Sequence, residues 1–256
     1  MRSLRFLLYN IRYATGTGPV YHFPAPFSGS LRTPRGHLDR IALFLREEDP
    51  DLIGLVEVDS GSLRTGHRNQ AEHLALRVET PFFFHANKYG QSSPVRRLPY
   101  FRNQGNAVLS ALPPGQTRAL FFDSGVKRLV LEIGFDHFDL LLVHLALGSR
   151  TRKRQLDQLT EMIAGRKKQL ILAGDFNTFR GWKELAPYAE KWGLISANSR
   201  HQPTFPSRNP QVELDYILHS SGITCLRLSL PRIRLSDHLP MVFDFALLSS
   251  DHSRID

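Results

Sequence analysis

The sequence predicts an α/β protein in which two β-sheets pack face to face and helices cover their outer surfaces. Strand-like apolar runs outnumber helical ones along the 256 residues, and the two kinds alternate without a repeat or a low-complexity linker. Many strands with few helices favour a layered sandwich over a helical bundle. A chain of this length fits one large domain, and we therefore expect residues 1–256 to form a single domain.

Four segments place apolar residues at helical spacing, and the first of them starts at a cap and proline, Thr33-Pro34. Their apolar positions are Leu38, Ile41, Ala42 and Leu45; Ala71, Leu74, Ala75 and Val78; Leu156, Leu159 and Ile163; and Leu185, Tyr188, Ala189 and Trp192. The predicted strands are residues 4–11, 51–57, 82–86, 106–111, 118–122, 129–133, 138–145, 170–173, 214–218, 223–228 and 241–246.

Composition and charge narrow the class of protein. An apolar fraction of 41% is typical of a chain with a sizeable core and excludes a largely disordered one. The 33 Lys+Arg against 24 Asp+Glu give a net charge of +9, which favours a polyanionic partner, either nucleic acid or an anionic membrane surface. Cys225 is the one cysteine, so an internal disulfide and a multi-cysteine zinc site are excluded; its apolar neighbours predict a buried strand thiol.

The first ten residues contain only a short apolar run, and no run in the sequence approaches the roughly 20 residues that span a bilayer. We therefore expect a cytoplasmic protein. No obligate protein partner is indicated, and we expect a monomer.

Several apolar strands end in polar residues that a strand core would not contain. These residues are Asn10, Glu57, His144, Asp175 with Asn177, Asp215, and Asp237 with His238. Acidic side chains are rarely buried unless they are paired or bind a metal. If these strand ends meet at one edge of the sandwich, they form a cluster of carboxylates and imidazoles. Oxygen ligands with few nitrogens suit Mg²⁺ or Mn²⁺ better than zinc.

Taken singly, each of these residues also has an ordinary structural interpretation. Glu57 and Asn10 could be solvated turn residues, and His144 could be a hydrogen-bonded core histidine. Asp175 and Asn177 could form an Asx turn. Only their joint order along the chain decides between these interpretations and a catalytic cluster.

In the order of these polar residues along the chain, the sequence resembles the endonuclease/exonuclease/phosphatase superfamily, the DNase-I-like proteins. The matching stretches are Tyr9-Asn10-Ile11, Val56-Glu57-Val58, Gly105-Asn106-Ala107-Val108-Leu109-Ser110, Val143-His144-Leu145, Gly174-Asp175-Phe176-Asn177, Leu214-Asp215-Tyr216-Ile217 and Ser236-Asp237-His238-Leu239-Pro240. The resemblance implies a four-layered α-β-β-α sandwich and divalent-metal-dependent hydrolysis of phosphodiester bonds. It also implies that Asn10, Glu57 and Asp237 are ligands of one or two Mg²⁺ or Mn²⁺ ions.

The same resemblance implies the catalytic roles. Asp175 would orient or deprotonate the attacking water, and Asn177 would donate a hydrogen bond to the developing phosphoryl oxygens. His238 would pair with Asp215, which fixes its tautomer. His144 would stabilise or protonate the leaving oxygen, and which histidine acts as the base stays open. Abasic-site endonucleases of the superfamily usually lack a histidine at the position of His144, which disfavours a dedicated abasic-site repair role.

Substrate contacts are predicted from polar and basic residues beside these motifs. Arg102 precedes the motif that begins at Gly105, and Asn106 lies within that motif. Arg150 follows His144 together with Arg152, Lys153 and Arg154. The basic residues fit backbone-phosphate contacts, or equally the solvated end of a helix. Trp182 could stack on a base, lie on lipid or pack in the core. The long loop of residues 14–30 is a further candidate substrate contact.

Three functions remain open on the sequence. The favoured one is a DNase-I-like nuclease or broad-specificity phosphodiesterase acting on DNA or RNA. The second is a sphingomyelinase-like or inositol-phosphate phosphoesterase that acts on lipid headgroups at a phospholipid surface. The third, a binding module without catalysis, is disfavoured because every matched catalytic position is chemically intact.

Overall fold

The computed structural model describes residues 3–16, 33–88 and 102–248. Within these ranges the chain forms twelve strands and four α-helices. The strands are β1 Ser3–Asn10, β2 Leu52–Asp59, β3 Phe82–Asn87, β4 Gln104–Ser110, β5 Gln116–Phe121, β6 Leu129–Gly134, β7 Phe138–His144, β8 Gln169–Asp175, β9 Leu194–Ser196, β10 Asp215–Ser220, β11 Ile223–Ser229 and β12 Met241–Leu247. The helices are α1 His37–Glu48, α2 Gln70–Val78, α3 Ser149–Ile163 and α4 Trp182–Trp192.

The strands form two six-stranded sheets, in the orders β11-β12-β1-β2-β4-β3 and β5-β6-β7-β8-β10-β9. Strand β1 alternates between the two faces of its sheet: Phe6 and Leu8 point into the core between the sheets, and Leu7 and Tyr9 point outward. Both faces are covered, which explains why the strand reads as one continuous apolar run.

Three apolar layers separate four layers of secondary structure. The central one joins the sheets through residues such as Phe243 and Leu142. The second lies between the first sheet and helices α1 and α2, where Ile41 and Leu74 are buried. The third packs α3 and α4 on the second sheet. The predicted α-β-β-α sandwich is therefore confirmed.

Two parallel strand pairs bring polar residues to one edge of the sandwich. Strands β1 and β2 pair in parallel, with α1 between them in sequence, and β7 and β8 pair in parallel across α3. In the second pair His144 lies directly beside Asp175. The carboxyl ends of these strands therefore meet at a shared edge, as the sequence analysis required.

Two details differ from the sequence-based expectations. Helix α1 begins at His37, after Gly36 in a left-handed conformation, and does not include Thr33-Pro34. Cys225 is exposed, because β11 is the edge strand of its sheet and carries a register shift beside this residue. No helix in the described part of the chain is long and apolar enough to cross a membrane.

Gly174 illustrates how backbone geometry sets the position of a site residue. Its φ is +147°, and a Cβ there would lie 1.9 Å from the carbonyl oxygen of Val143 on the neighbouring strand. A side chain at this position would force β7 and β8 apart directly beside Asp175. Glycine is therefore required immediately before that carboxylate.

We expect Gly174→Ala to lower the free energy of unfolding by roughly 2–4 kcal/mol, because it adds both a backbone clash and an unfavourable φ. Urea denaturation measures this change. Gly148→Ala is the matched control, since no atom lies within 4 Å of a Cβ at that glycine. Equal stabilities of the two variants would contradict the explanation.

Candidate active site

The polar residues predicted at strand ends gather at the shared edge of the two sheets. Each comes from a different element: Asn10 ends β1, Glu57 lies in β2, His144 ends β7, Asp175 ends β8, Asp215 begins β10, and Asp237 with His238 precedes β12. Asp215 lies opposite Asp175 in the antiparallel pairing of β10 with β8.

Asp175 lies at the centre of the cluster and is only 2% exposed. Its Oδ2 accepts a hydrogen bond from Asn10 Nδ2 at 3.1 Å and lies 3.3 Å from His144 Nε2 and 3.9 Å from His238 Nε2. Its Oδ1 accepts a hydrogen bond from the backbone N–H of Asn177 at 3.0 Å. Burial by itself would raise the pKa of Asp175, but the two histidines outweigh it and lower the pKa well below its usual range. One ionised carboxylate thus joins groups from both sheets.

Glu57 reaches the cluster through a β-bulge. The sequence places the end of a strand here, whereas β2 continues to Asp59 with a register shift between Leu55 and Val58. Glu57 has a φ of +58°, and its backbone N–H donates to Asn106 Oδ1 at 3.3 Å. Such bulges redirect side chains. Glu57 Oε1 consequently lies 3.7 Å from His144 Nε2, on the opposite sheet.

His238 is held in a buried chain of hydrogen bonds. Its Nδ1 lies 2.7 Å from Asp215 Oδ2, which also accepts from the Thr204 hydroxyl at 2.6 Å. The backbone N–H of Leu239 donates to the Thr204 carbonyl, which ties the histidine loop to the same residue. Burial would lower the pKa of His238, but the Asp215 and Asp175 carboxylates outweigh it and raise the pKa to about 10. His238 therefore carries a proton at neutral pH.

His144 has the opposite electrostatic environment. Burial, reinforced by the ammonium of Lys127, lowers the pKa of His144 to about 4. Lys127 Nζ contacts His144 Nε2 directly and lies 3.7 Å from Glu57 Oε1. His144 Nδ1 is buried and has no hydrogen-bond partner among the described residues. The two histidines are thus a neutral and a charged imidazole on either side of Asp175.

Asp237 lies at the side of the cluster. Its Oδ2 is 3.3 Å from Arg12 Nε, and its Oδ1 accepts a hydrogen bond from Ser236 Oγ. Arg12 begins a short turn in which three successive residues, 12–14, have φ values between 47° and 55°. Left-handed backbone in residues other than glycine is strained and concentrates at functional sites. This turn directly follows Asn10 and brings the guanidinium to the site.

A second buried group lies behind Glu57. Lys88 Nζ donates to the Tyr13 hydroxyl at 2.7 Å, and that hydroxyl donates to Gln104 Oε1 at 3.2 Å. Burial lowers the pKa of Lys88 to about 7, although Glu57 opposes the shift. Lys88 therefore adds a titratable positive charge next to the Glu57 carboxylate.

The predicted substrate residues are placed in three different settings. Arg102 and Arg150 are exposed. Arg102 lies just before β4 and Arg150 in the first turn of α3, both next to the shared edge of the two sheets. Asn106 is buried behind Glu57. Trp182 stacks on His201 with 4.6 Å between ring centroids and packs against the outer core of the second sheet.

Asn177 and Arg152 are engaged in hydrogen bonds within the protein. Asn177 has a φ of +52°, and its side-chain amide donates to the Leu145 carbonyl at 2.9 Å, which ties the end of β8 to that of β7. Arg152 is buried, with Nε 2.6 Å from Glu184 Oε1. Its guanidinium also donates to the carbonyl of Leu147.

Four residues in or around the cluster were not predicted from the sequence. Lys127, Arg12, Lys88 and Thr204 each belong to a loop or a short turn in the structure. A lysine or arginine in such a segment has the same sequence signature as a solvated residue. Only the pairing with buried carboxylates distinguishes them, and that pairing is long-range.

The donor atoms of the cluster fit a hard divalent cation. Burial would raise the pKa of Glu57, but nearby positive charge, chiefly that of Lys127, outweighs it and lowers the pKa; the Asp175 carboxylate is close enough to oppose this shift. Asn10 adds an amide beside them. Carboxylate and amide oxygens are preferred ligands of Mg²⁺ and Mn²⁺. Asp175, Asp215 and His238 also have ligand atoms within 4.8 Å of one another, but His238 Nδ1 is already paired with Asp215.

Comparison with known proteins identifies the family. The model of the Endonuclease/Exonuclease/phosphatase family matches residues 7–238. The chain belongs to the endonuclease/exonuclease/phosphatase family. Members of this family are phosphoesterases that generally depend on a divalent metal, and the recognition made from the sequence motifs is confirmed.

Individual relatives of this chain are distant. A UPF0294 protein of Yersinia pseudotuberculosis is 32% identical over 105 residues, which are 40% of this chain and 39% of that protein. The match thus spans about two-fifths of the relative's length. An endonuclease/exonuclease/phosphatase structure from Beutenbergia cavernae is 19% identical with a TM-score of 0.73, covering 96% of this chain and 72% of that one. A mannosyl-6-phosphatase of Bacteroides thetaiotaomicron is 16% identical with a TM-score of 0.66, covering 95% and 100%.

The His238 proton is expected to make the stability of the protein depend on pH. The folded pKa is raised from 6.5 to about 10, so the stabilisation is complete below pH 6.5 and is lost as the pH rises through about 10. With chelator present, the free energy of unfolding should fall over this range by on the order of 2–4 kcal/mol more in the wild type than in His238→Gln. Urea denaturation at pH 6 and pH 10 measures the difference. Parallel pH profiles for the two proteins would rule out a raised pKa at His238.

Proposed function

We propose that this phosphoesterase hydrolyses phosphodiester bonds in nucleic acid, with Mg²⁺ or Mn²⁺ bound at Asn10, Glu57 and Asp237. The observation that carries the proposal is the placement of a protonated histidine, His238, and a neutral one, His144, on either side of the Asp175 carboxylate. A bound divalent ion would neutralise the phosphate charge and polarise a phosphoryl oxygen.

Asp175 is suited to align the attacking water. The pKa of Asp175 is lowered, so the group stays ionised. Its Oδ2 lies 3.3 Å from His144 Nε2 and 3.9 Å from His238 Nε2. Hydrogen bonds from Asn10 Nδ2 and the Asn177 backbone hold the carboxylate in one orientation. A fixed acceptor lowers the entropy cost of placing the water for attack. Asp175 would thus act mainly through orientation.

His238 is suited to donate a hydrogen bond to the phosphoryl or leaving oxygen. Asp215 and Thr204 fix the orientation of the charged imidazole ring, so the proton on Nε2 points towards the centre of the site. A preorganised positive charge near the reacting phosphate stabilises the charge that develops in the transition state. Asn177 would add its second amide hydrogen, since its first is bound to Leu145. His144, which is neutral, would accept a proton or hold the leaving oxygen.

Nucleic acid is favoured as the substrate by charge near the catalytic edge. The chain has a net charge of +9, and Arg102 and Arg150 are both exposed beside the strand ends that carry the site. Contacts of this kind bind phosphate backbones without reading sequence. Arg152, which the sequence grouped with them, is instead paired with Glu184, and Arg166 is paired with Glu132. The loop of residues 14–30, the further candidate substrate contact, lies almost entirely outside the described residues.

Chelation is expected to abolish hydrolysis of a bis-aryl phosphate diester, and Mg²⁺ or Mn²⁺ should restore it. Asp175→Ala should lower kcat by roughly 10²–10⁴-fold at saturating metal, because the water loses its acceptor. Steady-state kinetics on folded protein measures the change. Asp157→Ala is the matched control, since that carboxylate is exposed and pairs with Lys153 far from the cluster. Retained turnover in Asp175→Ala would contradict the mechanism.

Cleavage of plasmid DNA or RNA is expected to exceed headgroup release from sphingomyelin or phosphoinositide vesicles, and kcat/KM should fall steeply with salt. Arg150→Glu should raise KM for DNA several-fold with little change in kcat. Arg46→Glu is the control, because this exposed residue lies at the end of α1 that leads into the start of β2, away from the catalytic edge. Faster turnover of vesicles than of nucleic acid would favour the lipid alternative.

A further inference from the structure

Hydrogen bonds within the protein fix the backbone position of Lys127. It lies in the loop between β5 and β6, which is closed by a hydrogen bond from the Phe122 N–H to the Arg128 carbonyl at 2.8 Å. Gln155 of α3, which is 0% exposed, donates from its amide to the carbonyls of Lys127 at 2.6 Å and Ser124 at 3.0 Å. A fully buried amide that donates hydrogen bonds to two carbonyls restricts the backbone of this loop.

The same glutamine connects the loop to the catalytic edge. Gln155 Oε1 accepts a hydrogen bond from the Ala146 N–H at 2.8 Å, two residues after His144. Gly125, with a φ of +100°, packs closely against the Gln155 amide. The position of Lys127 relative to His144 is therefore set by one side chain that contacts both segments.

The Lys127 ammonium lies among the groups that could bind metal. It contacts His144 Nε2, lies 3.7 Å from Glu57 Oε1, and its charge also lowers the pKa of Asp175. Its side chain is only 16% exposed. The ammonium is thus located beside the Glu57 carboxylate of one sheet and the His144 imidazole of the other, and that imidazole lies 3.3 Å from Asp175 Oδ2.

Two-metal phosphoesterases place their ions about 3.5–4 Å apart, so that both neutralise one set of carboxylates and one phosphate. An ammonium 3.7 Å from Glu57 Oε1 supplies part of that neutralisation without an exchangeable ion. It also repels a further divalent cation, since charges a few ångströms apart interact by several kcal/mol in a partly buried site.

We propose that Lys127 takes the place of a second divalent ion, so that this active site binds a single ion. The inference rests on the metal dependence in the proposed function and adds to it the number of ions and the residue that sets this number. The Lys127 ammonium would also be available to contact a phosphate oxygen, a role that the second ion has in two-metal sites.

Titration of the metal-stripped full-length chain with Mn²⁺ tests the proposal, by calorimetry and by electron paramagnetic resonance of the free ion. The wild type and Lys127→Arg, which keeps the charge, should each bind one ion. Lys127→Ala should bind a second ion, or bind one ion about tenfold or more tightly, because the repulsion is removed. Lys153→Ala is the control, since Lys153 is an exposed lysine of α3 paired with Asp157. Circular dichroism and thermal melting verify that each variant is folded.

Two results would overturn the inference. The first is a wild-type chain that binds two ions, and the second is a folded Lys127→Ala variant that matches the wild type in both number and affinity. Both leave the metal dependence of the proposed function intact. If the wild type and every variant bound no Mn²⁺, the proposed metal dependence would fail together with the inference.

Discussion

The candidate active site depends on one carboxylate oxygen, Asp175 Oδ2, which interacts with three residues from separate parts of the chain. Asn10 approaches from the first sheet, His144 from the neighbouring strand of the second, and His238 from the loop before β12. In a buried setting an ionised group must be matched by donors and positive charge. The packing of the two sheets satisfies this requirement, because it brings their polar strand ends to the same edge.

The pKa values of His238 and His144 shift in opposite directions because different charged groups lie beside the two rings. His238 has the Asp215 carboxylate behind it, and the pKa of His238 is therefore raised. His144 has an ammonium beside it and no partner at Nδ1 among the described residues, and its pKa is lowered. Two identical side chains on either side of Asp175 thereby have different charges at neutral pH. Such separation of pKa values is how one site holds both a proton donor and a proton acceptor.

The sequence predicted the sandwich and most of the cluster because both depend on local signals. Apolar runs mark the strands, and a polar residue at the end of such a run is visible without coordinates, as for His144 and Asp175. Glu57 was also found, but the bulge that directs it was not, since a bulge depends on the register with β4. Lys127 and Thr204 were missed because their partners are distant in sequence. Arg152 was assigned to the surface for the same reason, although it is buried against Glu184.

The hydrogen bond between Asn10 and Asp175 joins residues that are 165 positions apart in the chain. Contacts of such large sequence separation form late, because closing the intervening loop costs entropy before the contact stabilises the fold. The catalytic geometry is therefore absent until both sheets have formed and docked. A chain that is cut between the sheets, or whose synthesis stops before the second sheet, therefore lacks the assembled cluster, because neither sheet alone contains all of its residues.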